Sequence, residues 1–251
     1  MPVRIEGGCR VAGLTEGEPE RAGGLRAWRC FGRDGGTLAI SLRVLELEPG
    51  RSPGLRNAEA DEVLYVLEGR GRAWIDGRGF ELEPDTGFYL APGRTLTLEA
   101  DQRLVLASSR CPDPGGGLET VEPVLEPPAG TDRGPTPFVR LRDEPPQTTG
   151  DRWYKTLVGR AQGSLAVTQF VGAIPPGRAP DHFHHYEEVL CILQGSGRMW
   201  AGRTQAPIGP GSCIFLPRGQ WHCVENQGPG ELVLLGVLFP AGSPAVRYEA
   251  D

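Results

Sequence analysis

The strongest constraint on the fold of this chain is an internal duplication. Residues 61–96 align without a gap on residues 187–222, at an offset of 126 positions. Identical residues meet along this alignment at Glu62 and Glu188, Gly69 and Gly195, Trp74 and Trp200, Pro84 and Pro210, and Gly93 and Gly219. The segments upstream correspond at an offset of 127, so the first copy has one extra residue in the loop before Glu62. The sequence therefore predicts one structural unit used twice.

Each copy is predicted to consist of short strands. The 251 residues include 37 glycines and 24 prolines, which disfavour helices because glycine loses backbone entropy and proline lacks a donor. Apolar runs such as "EVLYVLEG" and "EEVLCILQG" end at glycine turns and predict strands. Short strands at regular spacing are typical of a β-sandwich or barrel. We expect an all-β protein with domains at residues 1–110 and 138–251, joined by a Pro/Gly-rich linker at 111–137.

Charge and hydropathy exclude two classes of partner. The formal net charge is -6 and the pI is about 5.4, whereas a nucleic-acid interface needs a basic face. The first residues contain no apolar stretch of signal-peptide length, and the apolar run "LVLLGVLF" is too short to span a bilayer. We expect a cytosolic protein without a nucleic-acid or membrane partner.

The histidines are concentrated in the second copy. His182 and His184 are two residues apart and would lie on one face of an extended strand, and Glu188 keeps the same parity. His222 would have to come from another strand to complete the set. Three imidazoles and a carboxylate suit a divalent first-row metal with open coordination positions. They suit a closed structural zinc site less well, because no thiolates stand at zinc-finger spacing.

These spacings resemble the two motifs of the cupin superfamily. Residues 177–195 resemble the first cupin motif with one residue fewer after its opening glycine, and residues 211–226 resemble the second. Because the duplication extends over most of the chain, the resemblance implies a bicupin with two tandem jelly-roll barrels. It also implies one divalent transition metal per chain, Fe above all, or Mn, Zn, Ni or Co. The implied ligands are His182, His184, Glu188 and His222.

The first copy departs from this pattern. At the offset of 126, Arg56, Ala58 and Leu96 stand where the three histidines stand in the second copy, and only Glu62 is retained. We therefore expect a first barrel without metal ligands, whose role is structural, in packing or in a dimer face. A pocket for an anion at Arg56 is the alternative.

Other side chains near the ligands are candidates for catalysis and substrate binding. Tyr186 shares the parity of the ligands and is a candidate proton donor. Arg198 and Gln169 are polar candidates for holding a substrate carboxylate or carbonyl. Trp200 is predicted to be barrel core or a substrate contact.

The resemblance is specific for fold and metal and leaves the reaction open. The leading hypothesis is a mononuclear non-haem iron dioxygenase that acts on a small oxygenated or carboxylate-bearing metabolite. One alternative is a redox-neutral Mn- or Zn-dependent isomerase or aminohydrolase, similar to the ureidoglycine aminohydrolase family. Another is a non-catalytic ligand-binding or storage cupin. By the habit of the superfamily we also expect a homodimer.

Overall fold

The computed structural model describes residues 2–127 and 135–246. Its strands in chain order are β1 (Val3–Arg4), β2 (Arg10–Gly13), β3 (Glu20–Ala22), β4 (Leu25–Phe31), β5 (Leu42–Leu47), β6 (Gly50–Arg51), β7 (Gly54–Arg56), β8 (Asp61–Glu68), β9 (Gly71–Ile75), β10 (Arg78–Leu82), β11 (Thr86–Leu90), β12 (Thr95–Ala100), β13 (Leu104–Cys111), β14 (Thr120–Val121), β15 (Phe138–Arg140), β16 (Gln147–Thr149), β17 (Arg152–Val158), β18 (Thr168–Ile174), β19 (Gly177–Arg178), β20 (Glu187–Gln194), β21 (Gly197–Ala201), β22 (Thr204–Ile208), β23 (Ser212–Leu216), β24 (His222–Asn226) and β25 (Leu232–Phe239). One-turn 3₁₀ helices lie at Glu6–Gly8, Arg33–Gly35, Leu141–Asp143 and Arg160–Gln162.

The strands form two jelly-roll barrels, each made of a large and a small sheet. The first barrel has a seven-stranded sheet in the order β15-β11-β8-β13-β5-β4-β3 and a six-stranded sheet. In the six-stranded sheet, five strands follow the order β10-β9-β12-β7-β14, and the sixth strand, β6, also pairs with β12. The second barrel has an eight-stranded sheet in the order β1-β2-β23-β20-β25-β18-β17-β16 and a four-stranded sheet in the order β19-β24-β21-β22. The prediction of an all-β fold with two tandem jelly-roll barrels is confirmed.

The two large sheets are buried on both faces. On β20, Leu190 and Ile192 point into the core of the second barrel, whereas Val189 and Cys191 point into an apolar cluster shared with the first barrel. The side chains of strand β8 point alternately into the core of the first barrel and into that shared cluster. The near-continuous apolar runs of these strands follow from this double burial.

The barrels exchange short strands. Strand β2, near the start of the chain, pairs with β23 of the second barrel, and Arg10 lies opposite Phe215 in this ladder. Strand β15, which follows the connector, pairs with β11 of the first barrel, and Val139 lies opposite Gly87. Each barrel therefore contains a short strand from the other side of the predicted boundaries at 110 and 138, and those boundaries stay a prediction.

Two equivalent glycines make the same tight turn in the two barrels. Gly69 has φ +93° and Gly195 has φ +83°, a region that favours glycine. A Cβ on Gly69 would lie 2.1 Å from the carbonyl oxygen of Arg103, and one on Gly195 would lie 2.8 Å from the Cα of Leu232. Only glycine allows the strands to approach this closely at these turns.

Strands β4 and β17, which open the two copies of the duplicated unit, do not lie at sheet edges. Strand β3 covers β4, and β16 covers β17. Among the described residues, the structure has no helix long and apolar enough to cross a membrane.

Candidate metal centre

The fold brings His182, His184 and His222 together inside the second barrel. His182 and His222 face each other in an antiparallel bridge, and their backbone N–H groups donate to each other's carbonyl oxygens at 3.0 and 2.9 Å. The turn after β23 fixes the third histidine, because the N–H of Gly219 donates to the carbonyl oxygen of His184 at 2.7 Å. The ligand atoms of the three imidazoles all lie within 4.8 Å of one another.

Backbone carbonyls orient two of the imidazoles. The Nδ1 of His182 lies 3.0 Å from the carbonyl oxygen of Pro180, and the Nδ1 of His222 lies 2.7 Å from that of Gln220. A carbonyl oxygen only accepts, so each Nδ1 carries a proton and donates it. Each Nε2 then keeps the lone pair that a metal ligand requires.

Glu188 lies beside the third imidazole. Its Oε2 is 3.5 Å from the Nε2 of His184, and both side chains are buried. Tyr186 stacks on the other side of the His184 ring, with 4.5 Å between ring centroids and 14° between ring planes. His184 and Glu188 are thus held by packing rather than by an ion pair, since the buried imidazole is neutral.

Burial shifts the pKa values of these groups toward their neutral forms. It lowers the pKa of His184 to about 2 and that of His222 to about 4, and the neighbouring imidazoles add to both effects. Burial also raises the pKa of Glu188 to about 8. The cluster therefore offers neutral imidazoles at neutral pH and a carboxylate whose charge is unfavourable without a nearby cation.

The donor set fits a divalent metal ion. Three imidazoles and one carboxylate are typical ligands of first-row divalent metals. Among the described residues, the buried Nδ1 of His184 has no hydrogen-bond partner, so no hydrogen bond competes for this nitrogen. A cation beside Glu188 would offset the burial that raises its pKa. The residues that would hold the ion are His182, His184, Glu188 and His222.

The cluster opens into a cavity of about 100 Å³. Its walls are largely aromatic and aliphatic, with Trp153, Phe170, Leu190 and Val224 among the lining residues. A cavity of this size admits only a small molecule.

Arg152 is the side chain that sequence reasoning missed. It lies at the start of β17, lines the cavity together with Thr149, and its side chain is 14% exposed. Its Nε is 3.7 Å from the carboxylate of Asp151. No motif marks this position, and only the closure of the barrel brings β17 opposite the histidines.

The structure places the sequence-predicted substrate residues elsewhere. Arg198 and Trp200 lie on the outward face of the four-stranded sheet, because Met199 between them points into the core. Gln169 is buried between the barrels, where its Oε1 lies 2.6 Å from the position of a Cβ on Gly87. Tyr186, the predicted proton donor, contacts His184 and lies outside the described lining of the cavity.

The counterparts of two ligands in the first barrel differ from the prediction by one residue. The bridge between His182 and His222 corresponds to the pairing of Leu55 with Leu96. Leu55 therefore occupies the place that the alignment assigned to Arg56, which is exposed on β7. The prediction of an Arg56 pocket is wrong because Arg56 points away from the barrel core.

The same shift applies at His184. The N–H of Gly93 donates to the carbonyl oxygen of Asn57 at 2.7 Å, as the N–H of Gly219 does to His184. The counterpart of His184 is thus Asn57 rather than Ala58. The extra residue of the first copy therefore lies between Asn57 and Glu62. The offset between the copies is 127 up to Asn57 and becomes 126 in strand β8.

Comparisons with known proteins agree with this fold. A profile of the cupin domain matches residues 170–238, which contain all four predicted ligands. Auxin-binding protein 1 of Arabidopsis thaliana is 29% identical over 116 residues, which is 41% of this chain and 59% of that protein. The match therefore spans less than two thirds of the relative's length.

The fold is also similar to solved structures. Oxalate decarboxylase of Bacillus subtilis, as a serine-to-alanine mutant, superposes with a TM-score of 0.76 and 14% identity over 91% of this chain and 76% of that chain. Another structure of the same enzyme, described for its Mn(II) centres, has a TM-score of 0.76 and 14% identity, with coverages of 93% and 78%. At this identity the likeness shows the fold alone.

Proposed function

We propose that the second barrel is the active site of a metal-dependent enzyme that acts on a small carboxylate-bearing metabolite, as a mononuclear non-haem iron dioxygenase. The observation that carries this proposal is the buried cluster of three imidazoles and Glu188, which opens into a small apolar cavity containing Arg152. A bound Fe(II) ion would supply the redox chemistry that dioxygen requires.

The cavity lining favours oxidation over hydrolysis. Apart from the four ligands, the titratable side chains among its described lining residues are Arg152 and Tyr154. A guanidinium stays protonated and cannot act as a base, and the hydroxyl of Tyr154 donates to the Oε1 of Gln147 at 2.9 Å. Hydrolysis and deamination need a positioned acid or base, which these side chains do not supply.

Arg152 supports the choice of substrate class. A guanidinium presents paired N–H donors that match the two oxygens of a carboxylate. In a cavity with apolar walls, such a contact would be shielded from water and would fix the orientation of the substrate. We propose that Arg152 holds the substrate carboxylate and that the hydroxyl of Thr149 lies close enough in the lining to assist.

The test is oxygen uptake by the full chain after anaerobic loading with Fe(II), Mn(II) or Zn(II). Small mono- and dicarboxylates are offered in turn, and His222→Ala serves as the control that lacks a ligand. The proposal predicts substrate-dependent oxygen consumption with Fe(II) alone, absent in His222→Ala. Turnover that proceeds without oxygen would contradict it.

Two other functions have support of their own. The Mn(II) centres of the structurally similar oxalate decarboxylase favour redox-neutral Mn- or Zn-dependent chemistry, including isomerase or aminohydrolase activity, which would proceed under argon. The match to a protein named for auxin binding favours a non-catalytic role. That role predicts saturable binding of a carboxylate ligand with no turnover under any metal or gas.

We also propose that the chain is a bicupin whose first barrel lacks a metal site, because Leu55, Asn57 and Leu96 take the places of the histidines. A cytosolic location and a homodimer belong to the same proposal. Sedimentation of the metal-loaded protein tests the dimer, and a monomer at all concentrations would reject it.

A further inference from the structure

Glu187 directly precedes Glu188, yet its side chain points away from the metal centre and toward the first barrel. It is 1% exposed. Its Oε1 accepts the backbone N–H of Leu38 at 2.7 Å, and its Oε2 accepts those of Ala39 and Ile40 at 2.7 and 3.0 Å. Three hydrogen bonds to one carboxylate therefore join the start of β20 to a loop of the other barrel.

That loop is fixed within the first barrel. The N–H of Asp113 donates to the carbonyl oxygen of Ala39 at 2.9 Å, and the N–H of Ser41 donates to that of Arg110 at 3.1 Å. The 3₁₀ helix Arg33–Gly35 precedes the loop and closes its other end. The backbone N–H groups that donate to Glu187 are thus held in place by hydrogen bonds within the first barrel.

The charge of Glu187 is partly compensated by the exchanged strand β2. The guanidinium of Arg10 lies over the ring of Phe215 at 4.6 Å and over that of Phe31 at 5.4 Å, between the two barrels. Burial lowers the pKa of Arg10, and attraction to Glu187 opposes that effect. A buried carboxylate that accepts three backbone hydrogen bonds is costly to separate from its donors.

Glu187 is the first residue of β20 and Glu188 is the second. Glu188 is paired with Leu216 on one side and Leu238 on the other, and the hydrogen bonds of Glu187 add a tie from outside this sheet at the strand end, where local opening begins. We propose that Glu187 is a positioning residue, which uses the loop Leu38–Ile40 of the first barrel to hold the Glu188 carboxylate in place for the metal ion. The first barrel then raises the metal affinity of the second, an inference that rests on the proposed metal site.

The duplication supplies a matched control. Asp61 precedes Glu62 as Glu187 precedes Glu188. Its carboxylate is also engaged, since it accepts the hydroxyl hydrogen of Tyr89. The copy that carries Asp61 has no histidine, so the variant Asp61→Asn should disturb an equivalent strand start without affecting the metal ligands.

The experiment is a titration of the metal-free full chain with Mn(II), in which EPR measures the free aqua ion. Glu187→Gln is expected to raise the Kd for Mn(II) by about 10- to 100-fold, as losses of groups that orient ligands do, and to change the EPR spectrum of the bound ion. Glu187→Asp keeps the charge with a shorter reach and should give a smaller increase. Asp61→Asn should stay within about twofold of the wild type.

Thermal unfolding of the metal-free variants separates positioning from stability. A lower Tm for Glu187→Gln with an unchanged Kd and EPR spectrum would overturn the inference, because the residue would then serve only the interface. If Glu187→Gln does not fold, Glu187→Asp decides, and a Kd equal to that of the wild type would again overturn it. Failure of the wild type itself to bind Mn(II) would instead reject the metal site, and with it this inference.

Discussion

Glu62 and Arg110 form a buried ion pair in the first barrel, with 3.0 Å between Oε2 and Nε and both side chains 5% exposed. The hydroxyl of Ser108 donates to the other carboxylate oxygen at 2.5 Å. Arg110 lies opposite Glu62 in the β13–β8 ladder, as Leu238 lies opposite Glu188 in the β25–β20 ladder. The equivalent buried carboxylates therefore differ in their partners: Glu62 contacts a guanidinium in the first barrel, and Glu188 lies beside an imidazole in the second.

Replacing Arg110 should destabilise the first barrel strongly. Arg110→Leu leaves the buried Glu62 without its hydrogen-bonded cation, so we expect a loss of about 3–5 kcal/mol in the free energy of unfolding. The double variant Arg110→Leu/Glu62→Gln removes the charge as well and should recover much of the loss. Urea unfolding of the metal-free protein measures both, and a loss below about 1 kcal/mol in Arg110→Leu would contradict the role of the pair.

The affinity for metal should rise with pH up to about 8. The pKa of Glu188 is raised to about 8, so below that pH the metal displaces a proton from its carboxyl group. His184 and His222, whose pKa values are lowered to about 2 and about 4, are already neutral. We expect the Kd for Mn(II) to fall by up to about tenfold per pH unit between pH 6 and 8 and then to level off. An equally steep dependence in Glu188→Gln would disprove this assignment.

The stability of the metal-free protein should fall as pH rises from about 7.5 to 8. In this window the folded state keeps a proton on Glu188 that the unfolded state, with the ordinary pKa of 4.5, has lost. Because the folded state binds more protons, the free energy of unfolding decreases with pH. His184 and His222 are almost entirely neutral in both states there, since the window lies at least one pH unit above their ordinary pKa of 6.5 and burial lowers that pKa further in the folded state. Denaturant titrations of the wild type and Glu188→Gln test this, and the variant should lose the slope.

Arg152 should affect substrate rather than metal. Arg152→Gln removes a charged hydrogen bond worth about 1.5–3 kcal/mol, so the KM for a carboxylate substrate should rise about 10- to 100-fold while the metal content is unchanged. Arg198→Gln is the matched control, because Arg198 lies on the outer face and donates to Gln205 at 3.1 Å. If Arg198→Gln raised the KM and Arg152→Gln did not, the cavity would not be the substrate site.

The sequence predicted the features that depend on the internal duplication and on the alternation of side chains along a strand. The duplication indicated two barrels, and the parity of His182, His184 and Glu188 indicated one ligand-bearing face. The same alternation could have placed Arg198 and Trp200 on the outer face, since the apolar residue between them marks the inward face of β21.

Other features could not be read from the sequence because they depend on contacts between distant segments. Strand β2 is four residues long, and nothing in its composition indicates that its partner is β23. The loop register that makes Leu55 and Asn57 the equivalents of His182 and His184 follows from two backbone contacts, not from residue identity. Arg152 reaches the cavity only because β17 closes the barrel.

The most direct test of the metal centre is elemental analysis of the protein purified without added metal, beside His182→Ala and His222→Ala. We expect about one divalent metal ion per chain in the wild type and loss of the ion in both variants. If that ion is iron, the result favours the dioxygenase. No metal in the wild type, and none bound on reconstitution, would contradict the metal centre itself.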